Sequence, residues 1–172
     1  MFRPRRHLRL FALLFLIAGS GIAQAEPTEA VGQRVRLAIA DFVYVDTSGE
    51  QLDQNAAHQR RLKAFMDALR QDFTTSDRFH LIAVPCGPTA CNSESTPSAD
   101  LIRAAVEAGA KMLVIGGVHK QSTLIQWAKV QVFDIDAKQF VFDKLFTFRG
   151  DTDEAWRRAE IFVSQDIRAA LK

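Results

Sequence analysis

Two apolar runs of this chain end in polar side chains: Asp46 and Thr47 follow Val35 to Val45, and His119 and Lys120 follow Met112 to Val118. A carboxylate, a hydroxyl, an imidazole and an ammonium are the groups that bind small ligands or move protons. Asp151 adds a second carboxylate, so acid–base work by Asp46, His119 and Asp151 is one chemistry these types allow. Other carboxylates have structural readings. Asp134 and Asp136 flank a turn between two strand-like runs, and Asp151 stands three residues before Glu154, as a helix-capping box requires. Ser48 lacks the G-x-S-x-G frame of a nucleophile elbow. Gly116-Gly117 opens no G-x-x-x-x-G-K phosphate loop and predicts instead a bulge or close approach in a sheet. The residues therefore predict no catalytic group, no metal site and no cofactor. They predict a binding site at Asp46, Thr47, His119 and Lys120, because ligands of open α/β sheets sit beyond the carboxyl ends of parallel strands. A small enzyme using Asp46, His119 and Asp151 is the alternative.

The only cysteines, Cys86 and Cys91, enclose a Gly/Pro-rich turn. Two thiols so close predict a structural disulfide in an oxidising compartment. They lack the C-x-x-C spacing of a redox pair, and with His80 or His119 they lack zinc-ligand spacing.

Such a compartment agrees with the start of the chain. Arg3, Arg5, Arg6 and Arg9 precede an uncharged, largely apolar run from Leu10 to Ile22, and Ala23-Gln24-Ala25 supplies a small-x-small cleavage pattern. Residues 1–25 thus predict a cleaved signal peptide, and the run is short for a membrane span. The expected location is the periplasm, with a protein that does not span the membrane after cleavage. The leader holds four of the 22 basic residues and none of the 20 acidic ones, which leaves 18 against 20 and a net of −2 beyond it. That balance argues against nucleic acid as a partner, since phosphate recognition needs a basic surface.

The elements that must position the candidate residues follow from periodicity. Residues 26–33 predict a flexible polar tail, and 34–172 one α/β domain. Val35 to Val45 reads as a strand buried on both faces, closed by Asp46-Thr47-Ser48-Gly49. From Asp53 to Thr74, Leu62, Phe65, Met66, Leu69 and Phe73 fall on one helical stripe, with Arg60, Arg61, Lys63, Asp67 and Arg70 on the solvated face. Phe79 to Val84 reads as a second strand. Ser98 predicts the N-cap of a helix to Ala108 that stops at Gly109, and Lys111 to Val118 is a third strand. Thr123 to Ile135 and Phe140 to Arg149 read as a hairpin, with Phe140, Phe142, Phe146 and Phe148 on one face. Asp151 caps a last helix whose inner face carries Trp156, Ala159, Val163, Ile167 and Ala170. The expected fold is three parallel strands with crossover helices, extended by a C-terminal antiparallel hairpin and a final packing helix. As an edge, that hairpin offers Phe140 and Phe148 as partner contacts.

Three segments carry a family resemblance: Val35 to Phe42, Ala108 to Val118, and Gly150 to Ala159, the last being the most specific. Together they resemble a family of small exported bacterial proteins known only as a domain of unknown function. More distantly, the first and third strands are similar to the TolB amino-terminal domain and to CsgG-like envelope proteins. The chain lacks a propeller, a lipoprotein cysteine after the leader and a pore-forming hairpin. The resemblance implies a non-catalytic envelope module that binds a protein partner or small ligand. Some members are encoded near periplasmic quinoprotein dehydrogenases, which implies an accessory role to such a dehydrogenase system.

Overall fold

The computed structural model describes residues 34–85 and 91–171. The predicted signal peptide, all of the predicted tail and Cys86 lie outside the described residues. Within them the chain runs β1 (Val35–Ile39), β2 (Val43–Asp46), α1 (Asn55–Thr74), β3 (Phe79–Ile82), α2 (Ser98–Glu107), β4 (Met112–Lys120), β5 (Ile125–Asp134), β6 (Gln139–Arg149) and α3 (Asp153–Ala170). The strands form one sheet in the order β3-β1-β4-β5-β6, with β2 also paired to β4. β1 lies parallel to β3 and β4, and β2 is parallel to β4; β5 and β6 extend the sheet antiparallel. This is the expected α/β architecture with its hairpin and packing helix.

The first apolar run is two strands rather than one. Ile39 pairs with Val114, but Val43 pairs with Gly117, so the β1–β2 side holds one residue more than β4 between those pairs. Phe42, at this irregularity, is buried over Gly116, where an added Cβ would lie 2.7 Å from its ring. At Gly117 a Cβ would meet Val43 Cγ2 at 2.6 Å. The two glycines thus permit the close approach that their position in a strand suggests.

Alternation sorts the strand residues into two cores. Leu37, Ile39, Val114, Val118, Ala128, Val130 and Val132 meet α1 and α3, whereas Ala38, Ala40 and Leu113 meet Leu101 and Ala105 of α2. The α1 stripe is buried as expected, and Leu69 and Phe73 are fully enclosed. Each such side chain contributes about 1.5–3 kcal/mol on burial. α3 buries Trp156, Ala159, Val163 and Ile167, but Ala170 is exposed because the helix ends there and Leu171 closes the core. α2 packs mainly against the β1–β4 region, reaching Ile82 of β3 and Phe133 of β5, and among the described residues no helix covers the rest of that face of β5 and β6.

Two expected caps are corrected. Pro97 holds the N-cap position of α2, with no side-chain capping bond, so Ser98 is already helical. α3 is capped by Thr152, whose Oγ1 accepts from Ala155 N at 3.2 Å, and Asp151 lies one residue before the cap. The Asp151 carboxylate is instead drawn away from the backbone by cationic side chains.

Candidate functional site

Asp46 pairs with Lys120 and Val45 with His119 where β2 and β4 run side by side. Consecutive strand residues point to opposite faces, so His119 and Lys120 cannot serve one site. On the uncovered face, Thr47 Oγ1 lies 2.7 Å from His119 Nε2, Gln121 Nε2 lies 3.2 Å from His119 Nδ1, and Trp127 meets the imidazole edge-on at 5.8 Å. On the helix face, Asp46, Lys120 and Asp151 come together. The four-residue site expected at the strand ends is therefore divided in two, and an Asp46–His119–Asp151 constellation is not assembled.

The helix-face group is built around Asp151. Lys120, fully buried, donates to Glu50 Oε2 at 2.5 Å and to Asp151 Oδ2 at 2.9 Å. His58 Nε2 lies 2.6 Å from the same oxygen. Arg61 Nη1 donates to Asp151 Oδ1 at 2.7 Å while its Nε donates to Asp153 at 2.8 Å. Gln126 Nε2 reaches Gly150 O at 3.0 Å and Asp151 Oδ1 at 3.3 Å. Tyr44 stacks on His58 with ring centroids 4.8 Å apart. One carboxylate thus ties α1, β4, β5 and the turn before α3 together.

Charge balance explains why so polar a group is tolerated in the interior. A buried ion is costly unless paired and hydrogen-bonded, and here each cation meets at least one carboxylate. Burial raises the Asp151 pKa, but hydrogen bonds from Lys120 and His58 outweigh it and bring the pKa down to about 2. Burial disfavours the Lys120 ammonium, yet its bonds to Asp151 and Glu50 win and raise its pKa. Asp46 is also burdened by desolvation, but the Ser48 hydroxyl and backbone hold its pKa down. Burial, followed by Asp46 and Asp151, pushes the Tyr44 hydroxyl up. General acid–base catalysis needs a pKa near the working pH. These four groups are moved away from neutrality, which suits a scaffold better than a proton relay.

Sequence reasoning placed Asp46, Lys120 and Asp151 but missed Glu50, His58, Arg61 and Gln126. His58 precedes Leu62 by four residues, so extending the α1 stripe one turn would have found it. Gln126 begins the buried alternation Gln126, Ala128, Val130, Val132 of β5. By periodicity Arg61 belongs to the solvated face of α1, and Glu50 lies in a loop without any period. Arg70, assigned to that same face, donates to Asp41 Oδ1 at 2.5 Å.

The hairpin residues also separate. Val132 pairs with Phe142 but Phe133 with Phe140, a bulge that leaves Val141 unmatched. Phe140 consequently turns to the α2 face, 5.3 Å from the Phe133 ring, while Phe142, Phe146 and Phe148 pack toward α3. Phe148 meets Trp156 edge-on at 6.0 Å, so it belongs to the core and is not a free contact. Trp156 itself is 2% exposed and also lies against Tyr44 and Phe65. Lys129 pairs with Asp143 across the hairpin, and Lys144 with Asp166 of α3. Among the described residues no group of three His, Cys, Asp or Glu side chains is arranged to hold a metal. No described helix is long and apolar enough to cross a membrane.

Residues 35–167 match the DUF3280 family, described as protein of unknown function (DUF2380). No curated protein matches the chain. Among solved structures, TolB from Acinetobacter baumannii is 18% identical with a TM-score of 0.51, over 81% of this chain and 29% of that one. The hypothetical protein CT253 from Chlamydia trachomatis is 14% identical with a TM-score of 0.52, over 76% of this chain and 96% of that one. The chain therefore spans less than a third of the TolB chain, and what it shares with both is the fold.

Proposed function

The chain belongs to the DUF3280 family, and from that premise we propose that it is an exported, non-catalytic binding module of the cell envelope that docks a protein partner on β6. The observation that carries this reading is the edge position of β6. It is an 11-residue strand at the end of the sheet, and edge strands offer unpaired backbone groups to an added strand. Phe140, Val141 and Leu145 on it are 41–50% exposed, and Phe162 of α3 beside it is 62% exposed. A groove of about 370 Å3 lies between β6 and α3, lined by Leu145, Phe146, Phe148, Ala159 and Phe162, with Lys144 and Asp166 at its polar edge. An added strand would place alternate side chains over Leu145 and into this groove. Single exposed apolar residues need no explanation, but exposed apolar side chains on both faces of a strand that ends the sheet among the described residues support a contact surface there.

The periplasmic location and a Cys86–Cys91 disulfide belong to the same proposal, supported by the leader pattern and the cysteine spacing. The non-catalytic reading is supported by the separation of His119 from Asp151 and by the neutralised buried cluster. An envelope partner such as a periplasmic dehydrogenase system is in keeping with the family resemblance. To test the reading, tagged wild type and Leu145→Lys are used to capture proteins from periplasmic extract. A stoichiometric partner lost in Leu145→Lys, with unchanged circular dichroism, is the expected result. Equal capture by both proteins, or turnover of a small substrate that depends on His119, contradicts it.

A further inference from the structure

α1 and α3 run parallel, as their latches show. Arg61 meets Asp153 near the start of both helices, and Asp72 meets Ser164 at 2.5 Å and Arg168 at 3.3 Å near their ends. Between the latches the helices do not close. Ala64 and Ala68, one turn apart on α1, present only methyl groups, and a cleft of about 430 Å3 remains, floored by Phe65 and Trp156. Arg60 and Arg157, both exposed, line it together with Arg61, Asp153 and Glu160. Arg157 grips Glu154 on its own helix and Arg61 is held by Asp151 and Asp153, but Arg60 donates only to the Ala56 carbonyl and meets no carboxylate among the described residues.

Glu160 and Trp156 are 3% and 2% exposed, and neither Glu160 Oε1 nor Trp156 Nε1 has a hydrogen-bond partner among the described residues. Buried polar atoms left unpaired are costly, and at Glu160 a neutral carboxyl costs less to bury than a carboxylate, so the cleft wall is apolar in character when Glu160 holds its proton. We propose that the α1–α3 cleft binds a small apolar carboxylate, its hydrocarbon body against Ala64, Ala68, Phe65 and Trp156 and its carboxylate at Arg60. Arginine's planar fork suits a carboxylate, and the cationic residues lining the cleft outnumber the ionised acids there when Glu160 is protonated. Burial and the neighbouring Asp72 raise the Glu160 pKa to about 7, against the opposing pull of Arg168 and Arg157. Arg60, Arg61 and Asp153 are the other charged groups lining the cleft. An apolar body packed there desolvates Glu160 further, so binding favours its protonated form and weakens as pH rises through about 7. The site is separate from the β6 edge and does not depend on that reading.

Octanoate serves as the probe and octanol as its uncharged counterpart, titrated by NMR and calorimetry on the full chain beyond the leader. Octanoate should perturb α1 and α3 around Ala64 and Trp156, and bind several-fold tighter at pH 6 than at pH 8. Arg60→Ala should weaken octanoate about tenfold and leave octanol unchanged. Glu160→Gln should bind octanoate without the pH dependence. Ala68→Leu, which fills the cleft and keeps a good helix former, should abolish binding with a native spectrum. Absence of octanoate binding at millimolar concentration overturns the proposal. So does binding that ignores Arg60 or Ala68→Leu, or perturbations confined to the Phe162 groove.

Discussion

Asp151 accepts from or pairs with Lys120, His58, Arg61 and Gln126, so its removal would leave buried Lys120 with Glu50 alone, Arg61 with Asp153 alone, and buried His58 Nε2 without its carboxylate. Breaking a buried ion pair from one side costs about 3–5 kcal/mol, whereas losing a helix cap costs about 1 kcal/mol. Asp151→Ala should therefore lower the denaturant midpoint far more than Thr152→Ala, and equal losses would contradict the assignment of Thr152 as cap. The pH dependence has a definite sign. With its pKa lowered from 3.8 to about 2 by Lys120 and His58 against the opposing effect of burial, Asp151 contributes stability that is present above pH 3.8 and lost as pH falls through about 2. Asp151→Asn should show a shallower acid limb. At this scale the sequence carried residue types and positions along the chain but not facing. Asp46, Thr47, His119 and Lys120 share the strand ends, yet the pleat sends His119 to one side and Lys120 to the other. Glu50 had no pattern to betray it, because a loop residue's partner depends on tertiary placement alone.

Elements were read most reliably where one periodicity spans many residues. α1, α3 and the β5–β6 hairpin were legible because each buries a regular stripe. What failed were local irregularities. The nearly continuous apolar run from Val35 to Val45 conceals the extra residue that separates β1 from β2, since the residues on either side of it are similarly apolar. The bulge at Val141 likewise moved Phe140 off the stripe it shares by counting with Phe142, Phe146 and Phe148. The Cys86–Cys91 turn is proposed to be closed by a disulfide. Alkylation of denatured, unreduced periplasmic protein should find no free thiol, and quantitative labelling would refute it. So short a loop constrains the unfolded chain little, so Cys86→Ser should cost about 2 kcal/mol or less and retain the fold.

For the whole molecule, helix coverage is lopsided. α1 and α3 cover one face of the sheet and α2 a corner of the other, and among the described residues the hairpin keeps one open face and an open edge. The polar cluster at the strand ends ties α1 and the turn before α3 to β4 and β5 of the sheet. On this division the buried polar residues serve the architecture, and the exposed β6 edge is the surface proposed for recognition. The central claim, docking of a protein on β6, is tested most directly by placing a photo-crosslinking residue at Leu145 and, as a control, at Gln59 on the exposed side of α1, in living cells. A discrete partner band from Leu145 that is absent from Gln59 is the predicted result. Bands from Gln59 alone, or none from Leu145 in folded, exported protein, would contradict it.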